Sequence, residues 1–248
     1  MAETTGSRIA GLLSPRRIGA LYVWVLIIVV FSLWIPQLFL RGTTPQTILN
    51  QSTVTAIVAM SVVFPLAVGI FDLSVGAVLG LSAVVAAWLL GNTDLPIAAV
   101  IVITLATGVL VGLVNSFVIL RLKIDSFIAT LATGSILAAV TIAISGNKIM
   151  TEGIAGSFSE LSTGMLGGLQ LPVFYMIVLM VVQGILLERT RVGRLMYAVG
   201  FGPEATRLAG VGVDRLKIGA LVGCSLIASF AGLVLLGRIQ AADPTGGA

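Results

Sequence analysis

Seven stretches of this chain contain no Asp, Glu, Lys or Arg for 20 residues or more: 18–40, 42–71, 73–93, 95–120, 126–147, 161–187 and 218–237. Together they take 169 of the 248 residues and crowd all 24 charges into the other 79. A helical segment of about 20 apolar residues, rising about 1.5 Å per residue, matches the roughly 30 Å hydrocarbon core of a bilayer. Within that core the backbone must satisfy its own hydrogen bonds, and a helix does so inside one segment. The pattern implies an all-α, polytopic helical membrane protein with about seven transmembrane helices, and it excludes a soluble globular domain. Charged residues make up only 10% of the chain, against about 25% in an ordinary soluble domain. The spans are expected at about 18–40, 47–70, 74–90, 96–120, 126–144, 171–187 and 215–238.

The isoelectric point near 9.7 does not indicate nucleic acid, because the basic residues flank the spans instead of forming one patch. Their partner is the lipid bilayer, and their placement sets orientation. With a cytoplasmic N-terminus, the inner segments hold Arg8, Arg16, Arg17, Arg121, Lys123, Arg189, Arg191, Arg194, Arg207, Arg215 and Lys217. The outer side holds only Arg41, Lys148 and Arg238. Eleven inside against three outside selects this orientation over its inverse. Residues 1–17 have no apolar core of their own, so no cleaved signal peptide is expected. The organisation is a cytoplasmic segment, 1–17, and a membrane domain, 18–248. Two long connections interrupt the latter: an external Gly- and Ser-rich loop at 145–170 and a cytoplasmic loop at 188–214.

What is absent excludes chemistry. There is no His, hence no histidine metal ligand, proton relay or Ser-His-Asp triad. The single cysteine, Cys224, cannot form an internal disulfide and reads as a small buried hydrophobe. Lys123, Lys148 and Lys217 follow Leu122, Asn147 and Leu216, so the Gly-Lys pair of a Walker A loop is missing. No catalytic or metal constellation and no cofactor site emerges.

Polar residues inside the apolar stretches are the candidates for function. Asp72 is the one charge between Arg41 and Asp94. Upstream of it, Pro65 lacks a backbone donor and Gly69 weakens a helix, so the chain should break there. Asp72 and Ser74 would then cap the next helix. This is either a capped turn or a broken helix beside a polar path, since irregular backbone must be shielded from lipid. Asn115 either bridges helices or faces such a path. Thr130 and Thr133 can line it or bond to carbonyls on their own helix. Asn50, Gln51 and Ser52 form a polar cluster near the outer start of the second span. Gly76 and Gly80, Gly108 and Gly112, and Gly219 and Gly223 are spaced for close helix packing, within the chain or across a subunit interface.

In the cytoplasmic loop, Pro203, Glu204, Arg207 and Gly210 mark a two-turn helix: Pro at its first position, acid in the first turn, base in the last, Gly after it. It reads equally as a docking element for a soluble partner or as an interfacial linker.

These motifs, in this order, resemble the permease subunits of bacterial ABC importers for monosaccharides of the ribose, xylose, arabinose and galactose type, with autoinducer sugar relatives. Residues 69–76 match Gly-Gly-Ile-Asp-Leu-Ser-Val-Gly with departures at Ile70 and Phe71, where glycine would permit backbone that Ile resists. Residues 112–116 match Gly-Leu-Val-Asn-Gly except Ser116, and 127–133 match Phe-Ile-Ala-Thr-Leu-Gly-Thr except Ala132. Thr190, Gly193, Arg194, Tyr197, Ala198 and Gly200 fit the loop motif. Ala205 and Gly210 fit the motif after it, from which Gly202 and Thr206 depart. The resemblance runs from about residue 45 to the end. Its members continue through further spans, so this chain looks like one cut short at its C-terminal side.

The resemblance implies a transport subunit without bond chemistry of its own, in the bacterial inner membrane. Its partners would be a separate ABC ATPase, an extracytoplasmic sugar-binding protein and a second permease subunit. It implies a translocation region including Gln51, Asp72, Ser74, Asn115 and Thr130. It also implies a coupling element at 203–209, with Arg194, Gly200, Pro203, Glu204, Ala205, Arg207, Ala209 and Gly210 facing or supporting the ATPase. The rivals are an ion-coupled secondary transporter, for which Asp72 alone is a candidate carrier group, and an intramembrane enzyme, for which no constellation exists.

Overall fold

The computed structural model describes residues 15–154 and 156–245. Most of the expected cytoplasmic segment 1–17, Arg8 included, lies outside the described residues. The chain divides into two compact units, one ending at Ile48 and one beginning at Leu49.

In the first unit, helix α1 (Pro15–Trp34) stops at Ile35. The ring of Pro36 disfavours helical backbone in the residue before it, and Ile35 takes φ −133° and ψ 59°. A single turn, α2 (Pro36–Phe39), follows, with the Phe31 and Phe39 rings stacked at 5.8 Å. The expected first span, 18–40, is therefore a helix broken near its far end and not one continuous rod.

Helix α3 (Thr44–Ala67) leads into the second unit. It is followed by α4 (Val75–Asn92), α5 (Ile97–Leu120), α6 (Ser126–Ser145) and α7 (Gly156–Thr163). A small hairpin, β1 (Met165–Leu166) with β2 (Leu169–Gln170), precedes α8 (Leu171–Gly184), which runs on as a π-helical turn, Ile185–Arg189. Then come α9 (Arg191–Phe201), α10 (Pro203–Leu208) and α11 (Val213–Ile239). Among the described residues, six helices are long and apolar enough to cross a membrane: α3, α4, α5, α6, α8 with its π turn, and α11. The stretch Leu21–Trp34 of α1 is a shorter apolar helix. The protein is a polytopic helical membrane protein, as the charge-free stretches imply.

Helices α4 and α11 form the inside of the second unit. Their apolar windows are 61% and 56% buried, against 22–28% in the other four crossing helices. Helix α11 packs on both α4 and α5, and α6 packs on α4. The α5–α11 contact is backbone against backbone. A methyl group added at Gly112 would lie 2.7 Å from Val222 Cα, and one at Gly108 would lie 2.8 Å from the Ser225 carbonyl oxygen. Close approach of this kind supplies dispersion contact where apolar burial cannot drive association. Helix α6 starts where the sequence provides a cap: the Asp125 carboxylate accepts from the amides of Phe127 (3.0 Å) and Ile128 (3.4 Å).

The connection at 145–170 is more ordered than its glycine and serine content suggests. Phe158 and Ser162 of α7 are buried, and a methyl at Gly237 of α11 would lie 2.5 Å from the Ser162 hydroxyl. Met150 and Ala242 form an antiparallel bridge through bonds of 3.0 and 2.9 Å. Eight residues of amphipathic helix are too few for a periodicity argument, which is why the sequence reads this region as loop.

Candidate functional site

The break between α3 and α4 is built by Gly69. It takes the left-handed φ of 73°, its amide donates to Leu66 O (3.1 Å), and the Ile70 amide donates to Pro65 O (2.9 Å). This is a Schellman ending, with glycine at the left-handed position, where an L side chain is strained. Helix α3 passes through Pro65 and stops only at Ala67. Ile70 stays outside the left-handed region, so its departure from the family pattern imposes no strain.

The non-helical segment beyond is stitched down by polar side chains. Asp72 is 4% exposed, and its Oδ1 accepts from the Ser74 amide (2.9 Å) and hydroxyl (2.6 Å). Ser74 Oγ accepts in turn from Asn115 Nδ2 of α5 (2.9 Å). On the α6 side, the Leu73 amide donates to Thr130 Oγ1 (3.0 Å), which itself donates to Ser126 O (2.8 Å). The Phe71 amide reaches Ser126 Oγ at 3.4 Å. Thr130 thus bonds to its own helix, and it also holds the break.

The expectation that Asp72 and Ser74 cap α4 is not met: α4 has no side-chain cap bond. The Ser74 hydroxyl is already engaged by Asp72 and Asn115, so the pair fixes the turn ahead of the helix instead. Asp72 Oδ2 and Asn115 Oδ1 are buried without a hydrogen-bond partner among the described residues. Cys224 of α11 is the small buried residue expected, packed with Val75, Val78 and Val111, and it also adjoins Asp72 and Ser61. Nothing in its apolar surroundings in the sequence signals this.

Four candidates therefore meet: Asp72, Ser74, Asn115 and Thr130. Gln51 does not join them. It lies near the opposite end of α3, exposed, where its backbone oxygen accepts from Arg238 (3.2 Å).

The second candidate region is the loop of α9 and α10. Thr190 caps α9 by accepting from the Gly193 amide (3.2 Å). Helix α10 has Pro203 at its start, Glu204 in its first turn and Arg207 in its last, as the sequence marks it, and Gly210 follows with φ 81°. Thr206, a departure from the family pattern, is put to use: it is buried, and its hydroxyl is shared between Ala198 O (2.9 Å) and Gly202 O (2.8 Å). This bolts α10 to α9. Arg207 pairs within the chain, with Glu204 (3.1 Å) and Asp214 (3.2 Å), while Arg194 donates to Arg189 O at 3.4 Å. Ala205 and Ala209 are exposed. Phe201 and Leu208, 92% and 90% exposed, stand beside them. Sequence reasoning overlooked both, although large apolar side chains in a segment outside the spans are a readable signal.

A bundle of membrane-crossing helices, a broken helix fastened over a buried carboxylate and a folded loop between two spans belong here to a membrane transport permease, as the relatives of the chain show. The chain belongs to the family described as the permease component of the branched-chain amino acid transport system, whose pattern matches residues 44–248. It is 30% identical over 248 residues to the ribose import permease protein RbsC of Haemophilus influenzae, covering 99% of this chain and 76% of that protein. It is 35% identical over 230 residues to the L-arabinose ABC transporter permease protein AraH of Azospirillum brasilense, covering 92% and 67%. To the galactose/methyl galactoside import permease protein MglC of Escherichia coli K12 it is 33% identical over 244 residues, covering 90% and 72%. No solved structure matches the chain.

Proposed function

We propose that this chain is the permease subunit of an ATP-driven importer for a small sugar, lying in the bacterial inner membrane with its N-terminus in the cytoplasm. The observation that carries the sugar assignment is the set of relatives just named, which import ribose, arabinose and galactose, although the family as a whole is described by branched-chain amino acids. ATP is hydrolysed on a separate ATPase seated against α10, sugar arrives from an extracytoplasmic binding protein, and a second permease subunit completes the pathway. Asp72, Ser74, Asn115 and Thr130 hold the break that borders the path, and Gln51 belongs to its outer mouth. The enclosure of Asp72 argues against the ion-coupled alternative, in which a carrier carboxylate must meet water. Reconstitution in proteoliposomes with its cognate ATPase and binding protein should give ATP-dependent uptake of a labelled pentose or hexose. Uptake of labelled leucine instead, or sugar uptake driven by an ion gradient without ATP, would refute the reading.

Orientation has its own test. A cysteine replacing Glu204 should react with a membrane-impermeant maleimide only from the cytoplasm, and one replacing Ser157 only from outside. Both positions are exposed. Labelling of the two from one side would overturn the assigned topology.

Docking on α10 should depend on shape more than charge. Ala205→Trp is expected to abolish ATPase pull-down by overpacking the seat. Glu204→Gln should cost at most about 1 kcal/mol, since the Glu204–Arg207 pair is solvent-exposed. Unchanged pull-down by Ala205→Trp would remove α10 from the interface.

A further inference from the structure

Between the two candidate regions lies a contact that neither motif announces. A methyl added at Gly200, near the end of α9, would run into the Ala67 carbonyl oxygen and lie 3.5 Å from the Gly69 amide nitrogen. A methyl added at Gly69 would lie 3.5 Å from the Gly200 carbonyl oxygen and 3.6 Å from its Cα. The cytoplasmic loop therefore touches the helix break backbone to backbone, with no side chain between. Met196 and Val199 of α9 reinforce the contact by sharing one buried cluster with Ala67, Val68 and Ile70.

We propose that Gly200 is a positioning residue that locks α9 and α10 to the break, so that a push on α10 displaces the backbone carrying Asp72. This rests on the importer reading and deepens it by naming how the ATPase and the polar cluster communicate. The links are contiguous. The Thr206 hydroxyl ties α10 to Ala198 of α9. Gly200 abuts Ala67 and Gly69. Beyond Gly69 the segment is fastened through Asp72 and Ser74 to Asn115. A side chain in such a joint can change rotamer and absorb a small displacement, whereas two apposed backbones cannot. Toward α11 the same loop offers side-chain contacts, Met196 and Val199 against Val213 and Leu221, which permit the small sliding typical of packed helices. The left-handed Gly210 follows α10 at a residue that tolerates backbone change.

The test measures distances between spin labels in the assembled transporter, at cysteines replacing Phe71 in the break, Leu208 on α10 and Leu122 just past α5. All three positions are exposed, and the native Cys224 is buried. Between nucleotide-free and ATP-bound states the 71–208 distance should stay constant within about 2 Å, while the 71–122 distance changes by more. A 71–208 change as large as that of 71–122, or no change in either, would overturn the proposal. Gly200→Ala should lose about tenfold or more in uptake, with sugar-stimulated hydrolysis falling much further than basal hydrolysis. Should that variant fail to assemble, Val199→Ala, which trims the same joint without adding an atom, must show the same split between basal and stimulated hydrolysis. Uptake within about twofold of wild type in the assembled variant refutes the lock. Failure of the unmodified chain to bind the ATPase at all refutes the importer reading, and the lock with it.

Discussion

Gly112→Leu is expected to destabilise the protein by about 3 kcal/mol, the upper end of ordinary overpacking, and to lower the yield of folded protein in detergent. The first added atom at this position would already lie 2.7 Å from Val222 Cα and 3.0 Å from Leu221 O. Backbone cannot rotate aside as a side chain can, so α5 and α11 would have to separate along their length. Gly219→Ala is the matched control. It belongs to the same kind of small-residue pair, yet nothing lies within 4 Å of an added methyl. It should be neutral or stabilising by up to about 1 kcal/mol, through helix propensity. Thermal unfolding of the two variants decides the matter. Melting of Gly112→Leu at the wild-type temperature would mean that the α5–α11 approach is looser than the geometry states.

The second large effect is expected at Asp72. Asp72→Ala leaves the Ser74 amide without its acceptor in a buried turn and takes one bond from the Ser74 hydroxyl. Unsatisfied buried groups cost about 1–3 kcal/mol each, so about 3 kcal/mol of stability should go, and sugar uptake with it. Asp72→Asn retains Oδ1 as an acceptor and should keep most of both. Equal damage from the two substitutions, measured as uptake in proteoliposomes alongside thermal unfolding, would show that the charge and not the acceptor geometry is what the site needs.

The spans were legible because lipid imposes a rule that sequence cannot evade: charges must leave the hydrocarbon region. The rule marks where helices lie far better than how they pack. Gly108 and Gly112 met α11 as the spacing suggested. Gly223 met only the ring of Phe64, at 3.2 Å, and Gly219 met nothing, since one spacing serves a tight interface and an open groove alike. The break was legible too, but its position followed Gly69, because the helix runs through Pro65 and ends in the left-handed turn that glycine allows. The polar cluster could be assembled only in part. Asp72, Asn115 and Thr130 stand out against apolar neighbours, whereas Ser61 and Ser126 are two among many serines and Cys224 is as small and apolar as the residues around it. Gln51 was drawn in by polarity and lies near the start of α3, away from the other four. The Gly200 contact was invisible, because a glycine on a loop carries no sign of what it touches.

The burial of Cys224 has a practical consequence. It is the only cysteine of the chain, it has no exposed surface, and it sits where α11 meets the turn at Asp72. A thiol-reactive fluorogenic dye added to the purified protein stays dark while that layer is closed and lights up as it opens. Melting curves recorded with such a dye report the loosening of the polar cluster itself, with no engineered residue and no signal from the loops.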